Sequence, residues 1–176
     1  KYTLNTLTIA VPVTIGHLIS CSMAAYGFSR IEWKGRDILF GLTLSTLMIS
    51  FTVTMIPLFL VFRTLGWLNS YRPLIVPAFF GDAYFIFMLR QFFRTIPVEL
   101  SDAARVDGAS ELGIFFRLIL PLSKPALAVV GLFSFIRVWG DFLAPLVFIS
   151  NMDDYTIALG LFRFLGDRAH ETDWGI

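Results

Sequence analysis

The sequence predicts an all-α membrane protein. Of its 176 residues, 56% are hydrophobic and only 15% charged, and the mean hydropathy is +0.74. The charges are also bunched: none falls between Lys1 and Arg30, or from Ile38 to Phe62. A soluble domain keeps about a quarter of its residues charged. By contrast, roughly 20 consecutive apolar residues let a helix cross a bilayer core, and hydrocarbon forces such a run to satisfy its backbone internally.

Taken in order, the first span covers 4–28. Pro12 lies inside it, tolerable where neighbouring helices satisfy the freed carbonyl. His17 lies there too, a polar helix contact or a lining group. Cys21 is the one cysteine of the chain, so it can form no disulfide within it and reads as a small buried side chain. After a charged connection from Arg30 to Asp37, the second span covers 38–62. Gly66, Asn69 and Ser70 mark the next connection, and Pro73 suits a helix start. The third span covers 74–90. Asp82 interrupts it after Gly81, either capping a break in the helix or facing an aqueous path. Residues 91–124 are too polar to cross and form a loop outside the membrane. The fourth span covers 125–149 and contains Arg137 and Asp141. The remainder is polar until Trp174, Gly175 and Ile176.

Orientation follows from the basic residues. Arg30, Lys34, Arg36, Arg90, Arg94, Arg105, Arg117 and Lys124 fall on one side, and Arg63, Arg72, Arg163 and Arg168 on the other. The positive-inside rule therefore puts the 91–124 loop in the cytoplasm. No basic block tracks a nucleic-acid backbone. Nor is there a glycine-rich phosphate loop, a set of paired His or Cys ligands, or a Ser, His and Asp constellation in a plausible context. The sequence thus implies no cofactor, metal or catalytic residue.

Within the loop, Pro97 suits a first helical turn, and Glu99 and Asp102 place negative charge near its positive end. Ala103 and Ala104 make a smooth surface. Gly108, after Asp107, supplies a residue able to turn left-handed and stop the helix. Beyond it, Phe115, Leu118, Ile119 and Leu122 follow an amphipathic helical spacing that Pro121 interrupts. A helix, a turn and a second helix fit either a docking element for another protein or a pair lying on the membrane surface.

The run from Glu99 through Ala103, Ala104 and Gly108, followed by Ile119, Leu120 and Pro121, resembles the EAA loop of ABC importer permeases. Asp107, Ala109, Phe115 and Pro125 match its sugar-importing branch, of the maltose, glycerol phosphate and arabinooligosaccharide type. The resemblance extends to Leu65–Tyr71, to Trp139 with Asp141–Pro145, and to Tyr155–Gly160, and so covers nearly the whole chain. One departure is Asp102, where the family usually has glutamate in contact with the ATPase.

The resemblance implies a type I importer helix bundle of six spans, the first and last outside this chain. It also implies a coupling role for Glu99, Asp102, Ala103, Ala104, Asp107, Gly108, Ala109, Phe115 and Pro121. The partners implied are an ATPase dimer, a second permease subunit and an extracytoplasmic binding protein. Asp82, Arg137, Trp139 and Asp141 are the candidates for the translocation path. Arg137 and Asp141, four apart on one helix, have an ion pair available to them. Competing readings are a permease for peptides, amino acids or metal, and a membrane enzyme or channel built on the same charges.

Overall fold

The computed structural model describes residues 1–171, and the side chains of 1–165. Trp174–Ile176 and the Arg168 side chain lie outside that description. The described residues contain eleven α-helices with short 3-10 and π turns and no strand. These are α1 (Tyr2–Ser29), α2 (Arg36–Ser45), α3 (Phe51–Thr64), α4 (Arg72–Ile75), α5 (Ala83–Thr95), α6 (Val98–Val106), α7 (Glu111–Ile114), α8 (Leu120–Leu122), α9 (Lys124–Trp139), α10 (Leu143–Phe148) and α11 (Ile157–Glu171).

Among the described residues two stretches are long and apolar enough to cross a membrane by themselves, Tyr2–Ser29 and Arg72–Thr95. Two more qualify only as bent pairs: Arg36–Met48 with Phe51–Thr64 at 100°, and Glu111–Leu122 with Lys124–Trp139 at 78°. The expected second span is therefore a helix broken at Ile49 and Ser50, without glycine or proline at the break. The third runs past its expected end at Arg90 to Thr95, because Arg90 is buried at 8% exposure rather than ending the helix in water. The fourth, expected over 125–149, stops at Trp139 and resumes as α10.

α1 is the central element. It packs against α5 on one side and α9 on the other. Buried Cys21, Ala25 and Tyr26 meet Phe85, Leu89 and Phe93 of α5 and Val130 of α9 in one apolar core. The sequence permits close approach at Gly16. A Cβ there would sit 3.0 Å from the Phe79 ring and 3.3 Å from the Ala78 backbone. His17 Nδ1 and Ser134 Oγ lie 2.8 Å apart and tie α1 to α9.

At one end of this core α1 and α5 exchange arginines. Arg30, just past α1, donates to the carbonyls of Phe93 and Ile96 at the end of α5. Arg90 of α5 donates from Nε to Phe28 O near the end of α1, at 3.0 Å. Each cation thus meets carbonyls at a helix C-terminus, where the helix dipole is negative. Burial lowers the Arg30 pKa, although the guanidinium stays charged. At the opposite end, Asn5 Nδ2 donates to the carbonyls of Asp153 and Tyr155, and Thr6 Oγ1 accepts from the Ile157 amide. Asn69, with φ 57°, accepts from the Ser150 and Asn151 amides.

The glycines of the two halves should respond oppositely to a larger side chain. Gly16→Val forces apart α1 and the 76–80 turn and should cost about 1–3 kcal/mol. Gly41→Ala, which meets nothing within 4 Å, should be neutral or gain about 0.5–1 kcal/mol of helix propensity. Thermal midpoints of the two purified variants check the contrast.

Candidate functional site

A cavity of about 280 Å³ lies between α1, the turn before α5, α3, α9 and α10. Its wall is mainly apolar, with His17, Asp82, Arg137 and Asp141 as its ionisable groups. Asp82 and Asp141 lie at breaks between helices, whereas His17 and Arg137 project from within α1 and α9. Gly81 takes φ 92°, a left-handed value open to glycine, and ends the 76–80 turn. Asp82 then caps α5, its Oδ1 accepting from the Tyr84 and Phe85 amides at 2.9 and 3.3 Å. Cys21, fully buried as expected, accepts the Asp82 amide proton at 3.2 Å. Ser20 Oγ donates to Ala78 O. The Asp82 carboxylate therefore both caps a break and faces the cavity.

Its second oxygen accepts from Arg137 Nη1 at 2.7 Å. The carboxylate is 18% exposed and the arginine 64%, so the pair closes one side of the cavity between α5 and α9. This replaces the pairing of Arg137 with Asp141 expected from their spacing. That expectation required one continuous helix, whereas α9 ends at Trp139, and Asp141 Oδ1 instead accepts from the Ala144 amide at the start of α10. Trp139 is not part of the cavity wall either; its ring stacks on Phe135 at 5.5 Å. His17, offered by the sequence as a helix contact or a lining group, is both: it bonds Ser134 and lies on the cavity wall.

The second region is the loop after α5. α6 begins behind Pro97, with Glu99 in its first turn. It ends in a Schellman motif: the Ala109 amide bonds Ala104 O, and the Gly108 amide bonds Arg105 O. Gly108 has φ 83°, the left-handed turn expected from the sequence. Ser110 Oγ then accepts from the Gly113 amide and caps the next helix. That helix widens to a π turn over Phe115–Ile119. Pro121 has no amide proton for Arg117 O and crowds it, which accounts for the widening.

Tyr26, Arg105 and Glu111, none of them singled out in the sequence as site residues, hold this elbow. Tyr26 Oη donates to Glu111 Oε2 at 2.7 Å, Arg105 Nε donates to Glu111 Oε1 at 2.8 Å, and Arg105 Nη1 donates to Asp102 Oδ1 at 2.7 Å. The end of α1 is thereby tied to α6. Arg105, then Tyr26, hold the Glu111 carboxyl below its usual range. Asp102 spends one oxygen inside the loop, and Phe115 is buried against the Tyr26 ring at 5.1 Å. Glu99, Ala103, Asp107, Gly108, Ala109 and Pro121 remain exposed, as does Val106 at 87%. A serine directly before a glutamate and an apolar run was a readable sign of the cap at Ser110. The Tyr26 contact, across 85 residues, had none.

Residues 16–173 match the family described as binding-protein-dependent transport system inner membrane component, and the chain belongs to that family. The arabinooligosaccharides transport system permease protein AraQ of Halalkalibacterium halodurans is 37% identical, over 92% of this chain and 57% of that protein. The polygalacturonan/rhamnogalacturonan transport system permease protein YtcP of Bacillus subtilis is 38% identical, over 87% and 54%. A crystal structure of a bacterial ABC transporter involved in the import of the acidic polysaccharide alginate superposes with a TM-score of 0.80. It is 27% identical, over 96% of this chain and 63% of that one. The chain spans between half and two thirds of the length of these proteins.

Two measurements test the site's geometry. In double-mutant cycles on stability, Asp82→Ala with Arg137→Ala should show a coupling energy of about 0.5–3 kcal/mol, whereas Arg137→Ala with Asp141→Ala, which share no hydrogen bond, should show a smaller one. Asp82→Ala should be the most damaging single change, since it also removes a helix cap worth about 0.5–2 kcal/mol. For the elbow, the Glu111 pKa is depressed from 4.5, so its contribution is complete above that value and lost as pH falls through the lower folded value. Spin-label distances between α1 and α6 should be constant from neutral pH to about pH 5 and broaden in stronger acid. Glu111→Gln should remove the acid transition.

Proposed function

We propose that this chain is the greater part of a permease subunit lining the translocation pathway of an ATP-driven importer for sugars or oligosaccharides. Its bundle is of the type I importer kind. In this reading four spans cross the membrane, two of them bent, with α6 and its elbow on the cytoplasmic side. The basic residues Arg30, Lys34, Arg36, Arg94, Arg105, Arg117 and Lys124 at that end support the orientation.

The observation that carries the proposal is the elbow. α6 is a short rod with an exposed outer face. It is stopped by the turn at Gly108 and tied through Arg105 and Glu111 to Tyr26 at the end of α1. α1 in turn runs to the cavity wall at His17, Val13 and Ile9. A push on α6 therefore reaches the cavity through packed helix rather than through loose chain. An ATPase dimer closing on ATP would supply that push. Glu99, Asp102, Ala103, Ala104, Asp107 and Ala109 would form the contact, with Gly108 as pivot and Phe115 and Pro121 as its mounting.

A second permease subunit completes the pathway, and a binding protein outside delivers the solute. The cavity, with carboxylate and guanidinium groups set in an apolar wall, suits hydroxyl-rich solutes that take several directed hydrogen bonds. Asp82, Arg137 and Asp141 supply those groups. The names of the matching proteins, which import arabinooligosaccharides, rhamnogalacturonan and alginate, support a saccharide cargo.

The test is uptake by the full-length permease reconstituted with its ATPase, its second permease and its binding protein. Gly108→Val places a β-branched residue at φ 83°. The strain, about 1–2 kcal/mol, should lower ATP-driven uptake by roughly tenfold while membrane insertion is retained. Gly108→Asn, which tolerates the left-handed region, should keep most of the activity. Normal uptake and normal ATPase stimulation in Gly108→Val would remove the coupling role.

A further inference from the structure

A cationic recess opens beside the exchanged arginines. Arg36, Arg90 and Arg94 line a cavity of about 470 Å³ together with Phe28, Phe40 and a single carboxylate, Asp37. Arg36 and Arg90 share that carboxylate, at 3.1 and 3.5 Å. Among the described residues Arg94 donates no hydrogen bond and enters no ion pair, although its charge acts on Asp37 and lowers its pKa after the larger effects of Arg36. Arg90 and Arg94 are four apart on α5, so like charges repel along one face. The formal charge lining the recess is three positive against one negative.

The recess is also seated. Arg90 is 8% exposed, with its guanidinium stacked over the Phe40 ring at 3.9 Å. This arrangement orients a planar donor set and suits a tetrahedral oxyanion better than a mobile lysine cluster does. Immediately beyond Asp37, α2 presents Ile38, Leu39 and Leu42 outward, Ile38 at 72% exposure. Trp33, half exposed, lies on the other side of Arg36 in the chain, with its indole nitrogen donating to Gly27 O. A tryptophan of this kind marks the level of a membrane interface. Phosphate-binding donors, an interfacial tryptophan and an outward apolar helix follow one another within a single stretch of chain.

We infer that this recess binds the phosphate of an anionic phospholipid, with the acyl chains lying along the outward face of α2. Its occupant neutralises the repulsion between Arg90 and Arg94 and braces the end of the bundle where α1 and α5 are joined. A free phosphate ion would meet the same arginines but leave the α2 face uncovered, so the lipid uses more of what the surface offers. The recess adjoins the start of α6, since Arg36 and Arg94 also line a neighbouring hollow with Glu32 and Glu99.

The experiment uses the assembled transporter containing the full-length permease in detergent. Phosphatidylglycerol, phosphatidylcholine or sodium phosphate is added, and retained lipid is read by native mass spectrometry. Phosphatidylglycerol should be retained in preference to phosphatidylcholine, and more weakly as salt rises. Arg94→Gln, at an exposed position without internal bonds, should lower retention about tenfold, as expected for the loss of charge-assisted bonds. Arg117→Gln, exposed elsewhere at the same end, should leave it unchanged. Equal retention by Arg94→Gln and the parent would overturn the proposal, as would an equal loss in Arg117→Gln. If millimolar phosphate displaces the lipid completely, the site takes the free ion and the lipid assignment falls.

Discussion

The exchange of arginines between α1 and α5 holds the arrangement on which the rest depends. Helices that run the same way bring two negative C-termini together, and nothing in apolar packing relieves that repulsion. Here Arg30 reaches the last carbonyls of α5 while Arg90 reaches back to α1. Each bond to a charged donor contributes about 1.5–3 kcal/mol, and the reciprocity fixes the register of the two helices. Cys21 consequently falls opposite the Asp82 amide at one level, and Tyr26 falls opposite Phe115 at another. A slip of one turn would remove both contacts together.

From that register the two candidate regions follow as the two ends of one helix pair. Toward one end the chain breaks at Gly81, aims the Asp82 carboxylate into a cavity and meets Arg137 from α9. Toward the other end the chain leaves α5 at Thr95, turns through α6 and returns to α1 through Glu111. α1 is the common member. It supplies cavity wall from Thr6 to His17 and the hydroxyl of Tyr26 for the elbow.

Much of this was legible in the sequence, and the parts that were not share a cause. Apolar runs announce spans because hydrophobicity adds along the chain, and Gly108 announces its turn because few residues take φ 83°. The short-range signals held. What failed were inferences that assumed continuity: an i, i+4 pair between Arg137 and Asp141 needs a helix that in fact stops at Trp139. Gly140, lying between them, was the available warning. The break at Ile49 and Ser50 lacks even that. Partners distant in sequence, such as Asp82 with Arg137 or Arg30 with Phe93, carry no local pattern at all. Arg90 looked like the end of a span because a charge was equated with water, whereas its guanidinium is satisfied inside by a carbonyl and an aromatic face.

The side-chain bonds that shape the elbow run within this chain. Asp102, Arg105, Glu111 and Tyr26 satisfy one another within this chain, and the turn at Gly108 is closed by backbone alone. The outward side chains of α6, Val98, Leu100, Ala103 and Val106, take no part in those bonds. The bonds that shape the loop and its outward apolar side chains thus belong to different residues. The outer face can therefore be changed, in evolution or by design, without disturbing the bonds that hold the loop's shape.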